Sequence, residues 1–350
     1  MTRLSQALRA WIGSGSVQGP DGAFHAWLDC KDGSLAFAYP EITGYGLTYL
    51  AGREAPSPTE VDAGRRAGDW LVGRFSSGDL SARAGWDNGA IYNFELAMIA
   101  SGLMLFGDRF EHTTISSSGV DLARYLLAQV EPDGAMPSIS PGGPASSRNG
   151  TGWSNDGRAH LVKVAQALLI AERHGVNGAA DAAQRLVSWG CQHQQDDGRF
   201  VTQLDPTFTM LHPHMYAVEG LWMLGMARDD NTAMARARRA IDWVWHHQLE
   251  TGGFPRLVAV DGDEPPAVEQ MDATSQVIRM TALLGVAQPG LGAALDRLRQ
   301  VAISTDAGAA LVYQPSAPIV HLNAWVTMFG AQAAEVAVAG PAPLAWAHLV

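Results

Sequence analysis

The sequence is poor in cysteine and in basic residues, and it has no long hydrophobic run. Only Cys30 and Cys191 are present, with no CxxC pair, so neither a disulfide framework nor a thiolate zinc site is indicated. The 24 Lys and Arg residues against 35 Asp and Glu give a formal charge of −11, and they form no basic block. We therefore expect neither nucleic acid nor a membrane surface as a partner. Since no apolar run reaches the ~18 residues of a membrane span and the first residues lack a signal-peptide core, we expect a cytoplasmic protein.

What the chain does contain is an internal repeat. A glycine turn followed by an apolar residue recurs as "PDGAF", "SSGDL", "PDGAM", "DDGRF", "TGGF" and "DAGAAL". The turn glycines are predicted at positions 22, 78, 134, 198, 253 and 308, so successive turns lie 55 to 64 residues apart. Such a constant period is typical of proteins built from stacked structural repeats.

Two kinds of helix alternate around these turns. An amphipathic segment with arginines and acids on one face precedes each turn, as in "ARARRAIDWVWHHQ", which suits an outer, solvent-facing helix. A more uniformly apolar segment follows, as in "MYAVEGLWMLGMA", which suits a buried inner helix. Six outer and six inner helices predict an all-α (α/α)6 toroid. Because no repeat can bury its apolar face alone, we expect residues 1–350 to form a single domain.

Polar and aromatic residues gather where the six inner helices begin. These helix starts point to the same end of the predicted toroid, where free backbone N–H groups favour carboxylates and oxygen-rich ligands. We predict a ligand pocket there, formed by Tyr39, Glu41, Tyr45, Trp86, Asp87, Asn88, Trp153, Asp156, Arg158, His160, His212, His214, Tyr216, Asp272, Gln276, His321 and Asn323. Taken singly, an acid such as Asp272 could instead cap its helix.

The segment "LHPHMYAVEGLW" (211–222) places two histidines around a proline. His212 and His214 could chelate a metal, but a stable zinc site also needs third and fourth ligands, and no spacing in the chain supplies them. Pro213 in the first helical turn explains the local geometry without a metal. We therefore predict a hydrogen-bonding or acid/base role for one of the two histidines, and neither a metal nor another cofactor.

Several segments resemble those of known toroid families. "QQDDGRF" and "HQLETGGF" resemble the Q-x-x-x-G-[F/W] repeats of terpene cyclases and protein prenyltransferases, although the DxDD, diphosphate and zinc motifs of those enzymes are missing. "YPEITGYGLTYL", "LHPHMYAVEGLWMLG" and "HLNAWVTMFGAQAAE" more closely resemble six-hairpin toroid proteins found beside bacterial polysaccharide biosynthesis genes. "GWDNGAIYNFELAM" departs from that family's F-D-T-G-Q and resembles, more weakly, the I-D-N-x-x-N segment of unsaturated glucuronyl hydrolases. The last resemblance implies that Asp87 is a general acid/base.

Together these features favour a carbohydrate-active enzyme that acts on a glycoside or uronic-acid-type sugar by hydrolysis, elimination or epimerisation. Its partner would be a small-molecule or oligosaccharide substrate. We expect Asp87 as acid/base, Glu41 or Asp156 as a second carboxylate, and His214 and His160 as polarising or proton-transfer groups. Two alternatives remain open: an isoprenoid cyclase or prenyltransferase-like enzyme with an aromatic-lined cavity, and a non-catalytic sugar-binding toroid.

Overall fold

The computed structural model describes residues 3–86, 88–141, 143, 152–260, 267–340 and 344–350. In these ranges the α-helices are, in chain order, α1 (Arg3–Gly13), α2 (Pro40–Ala51), α3 (Pro58–Ser76), α4 (Asn93–Arg109), α5 (Thr113–Leu127), α6 (Trp153–Asp156), α7 (Ala165–Arg173), α8 (Ala179–Gly190), α9 (Leu211–Arg228), α10 (Asn231–Trp245), α11 (Met271–Leu283), α12 (Leu291–Val301) and α13 (Ala324–Ala339). A 3₁₀ segment, Ala159–Val164, leads directly into α7.

Short strands join some of the connections that enter the inner helices. They are β1 (Trp27–Asp29), β2 (Phe208–Met210), β3 (Leu257–Ala259), β4 (Ile303–Thr305), β5 (Gly308–Ala310) and β6 (His321–Asn323). They form antiparallel pairs, β1 with β6, β2 with β3 and β4 with β5. The pairing of β1 with β6 ties the first repeat to the last, with Trp27 opposite Asn323.

The helices form two concentric rings, which confirms the predicted (α/α)6 toroid. The inner ring is α2, α4, α7, α9, α11 and α13, in which each helix contacts the next and α13 returns to contact α2. The outer helices α1, α3, α5, α8, α10 and α12 pack on the inner ring. In the part of the chain that the structure describes, no helix is both long and apolar enough to cross a bilayer.

The hydrophobic pattern explains which helix lies in which ring. In α9 every residue of the range 213–225 is buried, whereas α10 buries only one face, centred on Ala237, Ile241 and Val244. Glycines bring the inner helices close together: a Cβ on Gly102 would lie 2.2 Å from the carbonyl oxygen of Gly44. The backbones of α2 and α4 therefore pack at a distance that only glycine permits.

A repeated set of hydrogen bonds fixes the turns that link outer to inner helices. Gln18, Gln194 and Gln248 each donate from Nε2 to the carbonyl oxygen of a glycine four residues on, at 2.7, 3.1 and 2.9 Å. The same amide donates to a carbonyl at the following outer helix, at 2.8, 3.0 and 3.0 Å. This bridge is the physical basis of the Q-x-x-x-G phrases in the sequence.

The turn glycines adopt the left-handed backbone that glycine alone takes without strain. In the first and fourth turns, Gly22 and Gly198 have φ of 98° and 100°. In the fifth turn it is Gly252, with φ of 90°, that has this conformation. The prediction of Gly253 for that position was therefore wrong by one residue, because the choice between two adjacent glycines depends on which carbonyl the Gln248 side chain reaches.

The end of the toroid away from the inner-helix starts is covered by the last residues of the chain. Gln166 of α7 donates to the carbonyl oxygens of Ala347 and Leu349, both at 2.9 Å. Gln332 of α13 donates to the carbonyl oxygen of His348 at 2.8 Å. The axis of the toroid is thus covered at this end.

Candidate functional site

A cavity of about 470 Å³ lies at the starts of the inner helices. Its size suits a small-molecule ligand. Ten of the predicted pocket residues line it: Tyr39, Glu41, Tyr45, Trp86, Trp153, His212, Tyr216, Asp272, His321 and Asn323. The wall also contains residues that the sequence analysis did not select: Trp27, Ile42, Arg83, Phe94, Glu95, Ser154, Tyr313 and Trp325.

In four of the inner helices the repeat determines which side chain faces the cavity. Thr43, Thr274 and Thr327 each accept a backbone N–H from the residue that follows their turn, all at 3.0 Å. In the fourth repeat His214 takes this place, since its Nδ1 accepts the N–H of Phe200 at 3.2 Å. The residues two positions before these hydrogen-bond acceptors are Glu41, Asp272, Trp325 and His212, and all four line the cavity. Residues two apart on a helix do not face each other.

His214 therefore points towards the outer ring and not into the cavity. Because its Nδ1 accepts a hydrogen bond, its Nε2 carries the proton, which it donates to the carbonyl oxygen of Ala240 in α10 at 3.2 Å. Burial lowers the pKa of His214 to about 4, so the ring is neutral at pH 7. His212 and His214 cannot converge on one ion. In the described ranges no group of three or more His, Cys, Asp or Glu is placed to hold a metal.

Three more predicted residues lie away from the cavity wall. Asp156 and Arg158 line a separate surface depression together with His193. His160 is buried behind the wall, with its ring 5.2 Å from that of Trp153 and 5.5 Å from that of Phe94. Burial, with the nearby charge of Arg83 and His212, lowers the pKa of His160 to about 3. The neutral imidazole of His160 therefore packs behind Trp153 and Phe94, which line the cavity.

Two predicted binding residues lie just beneath the wall. Asn88 donates from Nδ2 to the hydroxyl of Tyr92 at 2.9 Å. Gln276 bonds to His212 on the wall and to Glu219 below it. Asp87, the predicted acid/base, lies outside the described residues.

Glu41 is a buried carboxyl group of the cavity wall with a raised pKa. Its Oε2 accepts a hydrogen bond of 2.6 Å from the hydroxyl of Tyr39, and the side chain is almost fully buried at the start of α2. Burial and the charge of Glu95 raise the pKa of Glu41 to about 8. The cavity wall thus holds a carboxyl group that can donate a proton at pH 7.

Glu95 and Arg83 form a buried ion pair in the same wall. Nε of Arg83 donates to Oε1 of Glu95, and Nη1 donates to the Ser154 hydroxyl at 3.0 Å. The guanidinium lies 3.6 Å from the ring centroid of Tyr92. Oε2 of Glu95 is buried and has no hydrogen-bond partner in the described part of the chain, and burial raises the pKa of this carboxyl although Arg83 opposes the shift. In the sequence, Glu95 could have been recognised as an acidic residue inside an apolar inner-helix segment. A buried charge of this kind is costly unless another group pairs with it.

A chain of hydrogen bonds fixes the proton on His212. Gln276 donates from Nε2 to Glu219 at 3.0 Å, so its Oε1 faces Nδ1 of His212, at 2.8 Å. Oδ2 of Asp272 also lies 3.3 Å from Nδ1. Because both neighbours are acceptors, Nδ1 must carry the proton, and the neutral ring then keeps its lone pair on Nε2.

The charges that orient Gln276 are fully buried under the cavity. Glu219 pairs with Nζ of Lys163 at 2.8 Å and with Nη2 of Arg279 at 2.5 Å. The Lys163 ammonium lies 5.0 and 4.7 Å from the ring centroids of Tyr45 and Tyr216, which separate it from the cavity. Burial and Arg279 lower the pKa of Lys163 to about 8 while Glu219 opposes the shift. Nothing in the sequence pattern predicts the two cationic partners of Glu219.

Comparison with known proteins gives matches through structure alone. No family model matches the chain, and no curated protein matches it by sequence. An unsaturated glucuronyl hydrolase from Bacillus sp. GL1, responsible for the degradation of glycosaminoglycan, superposes over 95% of each chain with a TM-score of 0.70 at 12% identity. A cellobiose 2-epimerase from Bacillus thermoamylovorans matches 96% of this chain and 100% of its own with a TM-score of 0.68 at 10% identity. A D-mannose isomerase matches 94% of this chain and 95% of its own with a TM-score of 0.72 at 14% identity.

The chain shares its fold with these enzymes. The resemblance of the sequence to the unsaturated glucuronyl hydrolases is confirmed at the level of the fold. At such low identity the superposition concerns the helical toroid, and the chemistry has to be argued from the cavity itself.

Proposed function

We propose that the protein is a carbohydrate-active enzyme that works by acid/base catalysis in the cavity, with Glu41 as the proton donor. The observation that carries this proposal is the buried carboxyl group of Glu41, bonded to Tyr39 in a wall that also contains Glu95 and Asp272, where burial raises its pKa. A carboxylic acid and a second basic group are what glycosidic cleavage and related sugar reactions need. The hydrolase, epimerase and isomerase that share the fold support this class of activity.

The aromatic side chains of the wall suit the apolar faces of a sugar ring. The ring of Tyr39 lies 5.0 Å from Trp86 and 6.4 Å from Trp325 by centroid distance, in both cases edge to face. Aromatic rings pack against the apolar faces of a sugar, and the polar groups between them form hydrogen bonds with its hydroxyl groups. Three carboxyl groups in this wall favour a sugar over an isoprenoid, for which an apolar aromatic cavity would be expected.

In this proposal His212 is the base. Its Nε2 lone pair takes a proton while Asp272, beside Nδ1, stabilises the resulting imidazolium. Glu41 gives its proton to a leaving or carbonyl oxygen of the sugar. The pair supports hydrolysis when His212 takes the proton of a water molecule, and elimination or epimerisation when it takes a proton from a sugar carbon.

The test is a screen of sugars by thermal shift, followed by product analysis by NMR on the sugars that bind. We expect a bound sugar to raise the melting temperature of the wild type and to be converted. Glu41→Gln and His212→Asn should bind the sugar and convert it at least about 100-fold more slowly. The matched control is Glu172→Gln, which removes an exposed carboxylate 3.7 Å from Arg228 and should convert at the wild-type rate.

Three results would contradict the proposal. Binding without conversion would indicate a sugar-binding protein. A response to prenyl diphosphates alone would indicate isoprenoid chemistry. Full activity in Glu41→Gln would remove Glu41 from the reaction.

A further inference from the structure

We propose that the cavity selects a neutral saccharide, whose hydroxyl groups donate to Glu95 and Asp272, and that it discriminates against uronates. This inference rests on the function proposed above and specifies its substrate class. It differs from what the likeness to glucuronyl hydrolases would suggest, and it follows from the charges and hydrogen bonds of this cavity.

The first observation is a pair of buried acceptors without donors. Oε2 of Glu95 and Oδ2 of Asp272 are both buried in the wall, and neither has a hydrogen-bond partner among the residues that the structure describes. Nδ1 of His212 has a single proton, which goes to the closer Gln276 oxygen at 2.8 Å, so Oδ2 of Asp272, 3.3 Å from Nδ1, receives no hydrogen bond from it. A buried acceptor without a donor is costly, and a ligand hydroxyl removes that cost.

The second observation is that the basic groups of the described wall are already engaged by acids. Arg83 is bonded to Glu95 and Ser154. The ring of His321 stacks on Trp27 at 4.8 Å, and its Nε2 lies 3.6 Å from Asp29. A carboxylate is best bound by a guanidinium that presents two free N–H groups, and Arg83 is not in that state.

The third observation is the balance of charge in the wall. Among the described residues, three carboxyl groups, those of Glu41, Glu95 and Asp272, line the cavity together with one guanidinium, that of Arg83. Burial already raises the pKa of all three carboxyl groups, so the surroundings disfavour negative charge. A uronate placed against Glu95 and Asp272 would add a like charge at contact distance, whereas a neutral sugar adds only hydroxyl donors.

The test compares matched pairs of sugars that differ only at the carboxylate: glucose and glucuronate, mannose and mannuronate, galactose and galacturonate, and cellobiose and cellobiouronate. Dissociation constants are measured by calorimetry or NMR titration on the intact protein at pH 7 and low salt. We expect the neutral member of the pair that binds best to bind at least tenfold more tightly than its uronate.

Glu95→Gln is the decisive variant. It removes one negative charge and leaves the charge of Arg83 uncompensated, so the uronate should gain at least tenfold in affinity relative to its neutral partner. Asp272→Asn removes a negative charge on another inner helix and should shift the ratio in the same direction, which keeps the test valid if Glu95→Gln fails to fold. The control Glu172→Gln should leave the ratio unchanged.

The outcomes separate this inference from the proposed function. A wild type that binds and converts a uronate as well as its neutral partner overturns the selectivity and leaves the sugar enzyme standing. The selectivity is also overturned if folded Glu95→Gln and Asp272→Asn both keep the wild-type ratio. A folded wild type that neither binds nor converts any sugar of either class overturns the proposed function and the selectivity with it.

Discussion

Nδ1 of His212 lies 2.8 Å from the side-chain oxygen of Gln276, and this contact sets the protonation of the imidazole. The Gln276 amide cannot exchange the positions of its oxygen and nitrogen without losing its bond to Glu219. Glu219 in turn forms ion pairs with Lys163 and Arg279. Four polar residues that never reach the cavity thereby determine which nitrogen of His212 can accept a proton.

We predict that His212 is an Nδ1–H tautomer when neutral. Heteronuclear NMR on histidine labelled with ¹⁵N distinguishes the two tautomers, and the resonance is assigned by its loss in His212→Asn. Gln276→Glu should keep this tautomer, because a carboxylate oxygen also accepts the proton of Nδ1. A proton found on Nε2 in the wild type would contradict the assignment of His212 as base.

The raised pKa of Glu41 predicts an activity that falls as pH rises. Since burial and Glu95 raise this pKa to about 8, the proton-donating form is lost as pH rises through that value. We expect kcat/KM to fall tenfold per pH unit above it. Glu95→Gln removes the neighbouring charge and should move this limb to lower pH. A limb that does not move in that variant would show that Glu41 does not produce it.

The same shift predicts how stability depends on pH. The folded protein binds the Glu41 proton more tightly than the unfolded chain, in which the pKa is about 4.3. The contribution of this group to the free energy of unfolding is therefore complete below about 4.3 and is lost as pH rises through about 8. Denaturant unfolding should show a weaker decline over this range in Glu41→Gln than in the wild type. Equal slopes would mean that Glu41 has an ordinary pKa in the folded protein.

His214→Ala should affect stability and not catalysis. The substitution leaves the buried N–H of Phe200 without its acceptor and removes a second bond to the carbonyl of Ala240, which keeps its bond within α10, so we expect a cost of about 1 to 3 kcal/mol. His214→Thr restores the acceptor used in three other repeats and should recover part of that loss. Urea denaturation measures both effects. A fall in kcat with unchanged stability would instead support the catalytic role predicted for His214 from the sequence.

We predict that alanine substitutions at the turn glycines with positive φ differ in how much they destabilise the protein. A Cβ on Gly198 would lie 2.3 Å from the carbonyl oxygen of Arg239, whereas a Cβ on Gly78 would meet nothing within 4 Å. Both residues have positive φ, 100° and 82° respectively. We expect Gly78→Ala to cost about 1 kcal/mol of backbone strain. Gly198→Ala should cost clearly more, because strain and a clash with the next outer helix combine, and equal melting temperatures would contradict this.

Much of the architecture could be read from the sequence because it depends on local patterns. A constant spacing of glycine turns and a contrast between amphipathic and uniformly apolar segments predicted six helices in each ring and the end at which the inner helices begin. The turn glutamines and the aromatic residues at the helix starts belong to the same pattern. Because each of these features repeats along the chain, a misread pattern in one repeat does not change the predicted architecture.

The composition of the cavity wall was predictable only in part. Arg83 lies in a connecting loop whose path no periodicity describes, and its partner Glu95 comes twelve residues later. Asp156 and Arg158 stand at a predicted helix start, yet the short α6 carries them to a separate depression. The sequence placed Asp156 and Arg158 at the correct end of the toroid. Whether they line the cavity or the separate depression depends on the geometry of the loop, which the sequence pattern does not describe.

The sequence by itself determined the toroid, because the burial of an apolar face in every repeat admits few other arrangements. Only the tertiary structure decided between His212 and His214, which look equivalent as letters in "LHPHMYAVEGLW". The helix turns one imidazole to the cavity and the other to Phe200 and Ala240. It also decided that the pKa of Glu41 is raised, because that shift comes from burial and from the charge of Glu95, which lies on a different inner helix.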